Sequence, residues 1–112
     1  MEAMAMNLMT DELKKQMPAL YSQEQERDPL ARVKFFTPWG HGPCGSGWTW
    51  YGIEFDGMDT FFGVVDGYER ELGYFSLLEL EKVRGSGGLR IERDLCFEPT
   101  PLSTVYPRLL RD

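Results

Sequence analysis

The stretch from Trp48 to Val65 constrains the fold more than any other part of this chain. Trp48–Phe55 is dense in aromatic and β-branched residues, Asp56-Gly57 opens a tight turn, and Thr60–Val65 is a second run of the same character. Such side chains fit a pleated, half-buried surface, and Asp-Gly between two such runs is a short-range hairpin signal. A lone hairpin is barely stable in water, so further strands must join it. Arg32–Thr37 precedes it, Glu71–Phe75 follows the turn at Asp66-Gly67, and from Leu89 the apolar residues fall at 89, 91, 95 and 97. That last pattern has the period of a fifth strand.

Helical signals are short. Thr10 is a suitable N-cap, Asp11 and Glu12 suit the first turn, and Leu13, Met17 and Leu20 form a stripe that Pro18 cuts at Met17. Ser76-Leu77-Leu78-Glu79 has the spacing of a capping box, with Leu77, Leu78, Leu80 and Val83 as one buried stripe, and Gly85-Ser86-Gly87-Gly88 closes that helix. The tail with Pro99, Pro101 and Pro107 is read as extended or as a single helical turn. The order of elements predicts an α+β fold, with a mainly antiparallel sheet of about five strands and two or three short helices. A chain of 112 residues accommodates one such domain, read over residues 10–112 after a flexible N-terminal segment over 1–9.

Adjacent aromatic pairs, Phe35-Phe36 and Phe61-Phe62, point to opposite faces of their strands. Both faces of the sheet therefore carry aromatics. One set fills the core, and the other is either covered by the chain's own helices or left as an interaction surface. Trp48, Trp50 and Tyr51 are the candidate binding residues on such a surface.

Charge narrows the partners. Eighteen acidic residues against twelve basic ones give a net charge of −6, with no basic stripe. Phosphate-backbone binding and docking on anionic lipid both call for the opposite balance, so the expected partner is a protein, not nucleic acid or a membrane. No run approaches the roughly 20 apolar residues of a membrane span. Cys44 and Cys96 are far apart and the N-terminus lacks the pattern of a secretory signal, which points to reduced thiols in a cytoplasm.

Groups that could carry chemistry are few. His41 and Cys44 share a glycine-rich loop, but zinc needs three or four ligands, so no metal site and no cofactor is expected from them. Glu54 stands inside an aromatic strand, and Glu71 begins another. Glu92, Arg93 and Asp94 place three charges in an apolar frame. If Arg93 shares the face of Leu89, Ile91, Leu95 and Phe97, it needs a carboxylate partner, for which Glu54 and Glu71 are candidates.

Val33-Lys34-Phe35-Phe36, Thr49-Trp50-Tyr51, Glu54-Phe55-Asp56-Gly57, Phe61-Phe62-Gly63, Glu71 to Leu77, Glu79-Leu80 and Ile91 to Leu95 together resemble an uncharacterised bacterial family, domain of unknown function 2958. The resemblance implies short proteins carried on plasmids, integrative elements and phages, often near genes that counter host defence, and it brings no catalytic residues with it. Three functional readings follow. The first is a non-enzymatic protein-binding module, as an accessory or anti-defence factor of a mobile element. The second is a small hydrolase or nucleotide-modifying enzyme using Glu54, Glu71 and Glu92-Arg93-Asp94, which requires those groups to converge on one pocket. The third is single-stranded nucleic-acid binding on an aromatic sheet face.

Overall fold

The computed structural model describes residues 8–39 and 47–107; His41 and Cys44 lie outside them. Helix α1 (Asp11–Gln16) comes first, capped by the Thr10 hydroxyl, which accepts the Leu13 N–H, and it ends at Met17 as Pro18 requires. Strands β1 (Leu30–Ala31), β2 (Val33–Phe36), β3 (Thr49–Phe55), β4 (Thr60–Asp66) and β5 (Arg70–Ser76) follow, then helix α2 (Leu77–Lys82), strands β6 (Glu92–Arg93) and β7 (Thr100–Pro101), and helix α3 (Leu102–Val105). The main sheet has five strands in the order β5-β4-β3-β2-β6, with every pairing antiparallel. A separate two-stranded sheet joins β1 to β7. The α+β expectation holds.

The β3–β4 hairpin forms where the sequence placed it. Gly57 takes φ 89°, a conformation open to glycine and strained for other residues. One oxygen of Asp56, Oδ1, accepts the N–H groups of Met58, Asp59 and Thr60 at 2.8, 2.7 and 3.0 Å, so the turn is closed by a side chain as well as by backbone. At Gly63 a Cβ would lie 1.8 Å from the Tyr51 carbonyl oxygen, so only glycine fits this register.

Cross-strand partners share a face, and the register therefore sorts the aromatics. On one face Phe61 lies 4.4 Å from Phe55, 5.0 Å from Phe75 and 5.5 Å from Phe35, measured between ring centroids. Leu8, Met9 and Met17 from the N-terminal end, Leu77 and Leu80 from α2, and Ile91 close over them. Leu8 and Met9 are 5% and 2% exposed, so the core includes residues that precede Thr10.

The opposite face is also covered, but mainly by elements other than the two helices read at Thr10 and Ser76. Ala31, Ile53, Val64 and Leu102 form its buried centre, flanked by Tyr51, Leu72, Phe97, Val105 and Tyr106. The cover is the β1–β7 pair and α3, which are too short to show a period. Asp28 anchors them, because its carboxylate accepts both the N–H and the hydroxyl of Ser103 at 2.8 and 2.7 Å. Arg70 adds a bond from β5 to the Val105 carbonyl at 3.1 Å.

Several expectations are corrected. The strand read from Leu89 shrinks to Glu92–Arg93, with Ile91 buried but Leu95 74% exposed. Phe97 packs against Tyr51, on the face opposite Phe35. The stripe on α2 is narrower than Leu77, Leu78, Leu80 and Val83, since only Leu77 and Leu80 are buried. Ser76 does cap α2 by accepting the Glu79 N–H, and Asp59, in the β3–β4 turn, accepts the Leu78 N–H.

Candidate functional site

The side chains singled out for chemistry do not assemble. Phe35 pairs with both Arg93 and Trp50, Trp50 with Val65, and Val65 with Glu71, so Arg93 and Glu71 end one row that crosses the whole sheet. Four strand spacings of about 4.8 Å separate them, or roughly 19 Å. Glu54 points to the other face, displaced by the bulge between Gly52 and Glu54. It is 4% exposed, and its two oxygens accept the Tyr21 and Gln23 N–H groups at 2.8 Å each. Arg93 has no carboxylate partner among the described residues; its Nη1 donates to the Leu8 carbonyl. Glu92 is exposed beside it, and Asp94 faces the Lys34 ammonium at 3.6 Å. No single pocket holds the set that the hydrolase reading requires.

The aromatic candidates are mostly committed to packing. Trp50 is buried, Trp48 stacks on it at 5.9 Å with Tyr68 at its edge, and Tyr51 packs against Phe97. A base-stacking platform needs open ring faces, and these faces are occupied. Among the described residues, no cluster of three or more His, Cys, Asp or Glu side chains is placed to hold a metal. The Ser76 hydroxyl donates to Asp59 Oδ2 at 2.7 Å, and the same hydroxyl caps α2.

What the fold leaves open is a groove of about 910 Å³ between the N-terminal segment with α1, the β3–β4 turn, α2, and the chain leaving β6. Met9 and Leu77 form buried parts of its wall. Met58, Leu78 and Leu95 line it too, and they are 81%, 53% and 74% exposed. Asp11, Lys14, Glu81 and Arg93 supply charge around these apolar groups. The Asp59 carboxylate, also in the wall, accepts the Leu78 N–H on one oxygen and the Ser76 hydroxyl on the other. The groove thus sets exposed apolar groups among charged ones.

Sequence reasoning found Arg93 but missed Met58, Leu78 and Leu95. One signal was available: a methionine within the polar turn Asp56-Gly57-Met58-Asp59 cannot reach a core. Leu78 and Leu95 gave none, because each looked like the next member of an apolar stripe.

A small α+β domain with a doubly covered antiparallel sheet and an apolar-rimmed groove is the class that fold and site define. The model of the family described as protein of unknown function (DUF2958) matches residues 8–112, and the chain belongs to that family. No curated protein and no solved structure matches it significantly. No helix among the described residues is long and apolar enough to cross a membrane.

Proposed function

We propose that this chain is a non-catalytic binding module that holds an amphipathic helix of another protein in the groove beside α2. The observation that carries the reading is the convergence of Met58, Leu78 and Leu95, three strongly exposed large apolar residues, on one depression. Full burial of such a side chain is worth about 1.5–3 kcal/mol, and an apolar helix face recurring every three or four residues is the natural complement of a groove of this kind. Methionine adapts to differently shaped partners. The net charge of −6 favours basic residues on the helix flanks.

The finer reading, an accessory or anti-defence factor of a mobile element that inhibits a host system such as CRISPR or restriction, is supported by the family resemblance alone. Its test is phage plating on restriction- or CRISPR-proficient cells with and without the chain. Unchanged plating efficiency in both systems counts against it.

The docking reading is tested by placing a photo-crosslinking phenylalanine analogue at Met58 or Leu95, with Tyr68 as the control position, in cells of the source organism. A discrete adduct from both groove positions, absent at Tyr68 and lost when Leu78→Glu is added, is the expected result. Adducts that are equal at all three positions, or absent from the groove, overturn the reading.

A further inference from the structure

A second, smaller recess lies where the chain leaves β6 and passes the start of β2. It has a volume of about 260 Å³, and Thr10, Arg32, Arg93 and Asp94 line it together with Leu13 and Leu95. Its balance of donors and acceptors is unusual for a chain of net charge −6. Arg32 Nε is buried and has no hydrogen-bond partner, and no described residue forms an ion pair with that guanidinium. A buried donor left unpaired is costly, and more so when it belongs to a charged group. Among the described residues the Arg93 guanidinium has one backbone carbonyl partner, that of Leu8, and no carboxylate.

The one carboxylate present does not redress the balance. Asp94 Oδ1 accepts the Cys96 N–H at 2.9 Å, and Oδ2 faces the Lys34 ammonium at 3.6 Å. The Thr10 hydroxyl accepts the Leu13 N–H at 3.1 Å, which leaves its own O–H available to donate. Two guanidinium groups and one hydroxyl donor therefore line a recess whose only acid is spoken for.

We propose that this recess is an oxyanion-binding site, taking a carboxylate or phosphate group against Arg32 and Arg93. A planar guanidinium presents paired N–H groups that match two oxygens of either anion. The site is separate from apolar docking, although Thr10, Arg93 and Leu95 belong to both linings, and it stands whether or not a helix occupies the groove.

The test is a proton–nitrogen NMR titration of the full chain, following the arginine Nε–H signals and the Thr10 and Cys96 amides. The probes are sodium acetate and inorganic phosphate in separate arms, with sodium chloride at matched ionic strength as control. Saturable shifts of the Arg32 Nε–H with either probe and not with chloride are expected, and the arm with the tighter curve assigns the anion. Arg32→Gln should weaken binding by about tenfold or more, since a hydrogen bond to a charged group is lost. Arg32→Lys should retain part of it, and Arg70→Gln, at the distant Asp66 pair, should change nothing. Thermal unfolding of each variant shows that it is folded. Shifts that are linear in salt, equal in chloride, or unchanged in a folded Arg32→Gln protein would overturn the proposal.

Discussion

Glu54 gives the sharpest test of how this fold is held. It is an almost fully buried carboxylate with no cation paired to it among the described residues, and both oxygens are occupied by backbone donors, Tyr21 N–H and Gln23 N–H, at 2.8 Å each. The segment it holds is strained. Tyr21 has φ 69°, in the left-handed region that costs an ordinary residue about 1–2 kcal/mol. Such strain persists only where surrounding contacts enforce it, and here two of the enforcing contacts come from one side chain in β3. In Glu54→Gln, one amide oxygen still accepts, but the NH2 group faces the second N–H. One charge-assisted bond, worth about 1.5–3 kcal/mol, is lost and the other becomes neutral and weaker.

The net loss is therefore about 2–3 kcal/mol, or roughly 8–15 °C in Tm for a domain of this size. Glu54→Leu should be no better, because a leucine cannot remove the two backbone donors that need an acceptor. Urea and thermal unfolding, followed by tryptophan fluorescence, measure the loss. Hydrogen exchange at the Tyr21 and Gln23 amides locates it, since both should be protected in the parent and fast in either variant. A Glu54→Leu protein as stable as the parent would refute the reasoning, by showing that desolvating the carboxylate costs as much as its two bonds return.

Other consequences are more direct. Phe61, fully buried among Phe35, Phe55 and Phe75, should lose about 3–5 kcal/mol in Phe61→Ala by chemical denaturation. Gly63→Ala should fail to give a folded sheet by circular dichroism, because the new Cβ would overlap the Tyr51 carbonyl oxygen. Asp56 is held below its ordinary carboxyl range, first by the Asp59 N–H and then by the Met58 N–H, with burial opposing them. A depressed folded pKa contributes stability that is present above the unfolded value of about 3.9 and lost as pH falls through the folded one. Asp56→Asn should therefore flatten the acid limb of the stability curve below about pH 4, and an unchanged limb would count against the assignment.

The sequence exposed those parts of the fold that short-range chemistry dictates. The hairpin was legible because Asp-Gly and two aromatic runs act within twenty residues, and α1 because Thr10 and Pro18 mark its ends. The two-stranded sheet was not, since Leu30–Ala31 and Thr100–Pro101 are each too short for a period and meet only through a contact across some seventy positions. Leu95 and Phe97 misled for a related reason: period-2 reasoning assumes a continuing strand, and β6 stops at Arg93. The Arg93 reading failed in two ways. Of the four apolar residues grouped with it only Ile91 is buried, Phe97 lying on the opposite face, and Glu71 lies at the far edge of Arg93's row, a strand order that no local pattern encodes.

The position of the groove follows from the same economy of cover. Aromatics on both faces oblige a short chain to cover both with segments outside the main sheet. The N-terminal segment, α1, α2 and Ile91 close one face, while β1, β7 and α3 close the other. Separate pieces on one face meet imperfectly, and the gap between them is where Met58, Leu78 and Leu95 remain uncovered. Neighbouring residues on α2 separate the two roles. Leu77 is 5% exposed and belongs to the cover, whereas Leu78 is 53% exposed and belongs to the gap. Leu77→Ala should then cost about 2–5 kcal/mol of stability, and Leu78→Ala within about 0.5 kcal/mol. If Leu78→Ala also abolishes the groove adduct at unchanged stability, docking is separated from folding by adjacent positions of one helix. If Leu78→Ala destabilises as much as Leu77→Ala, Leu78 is part of the cover and the groove is not an open surface.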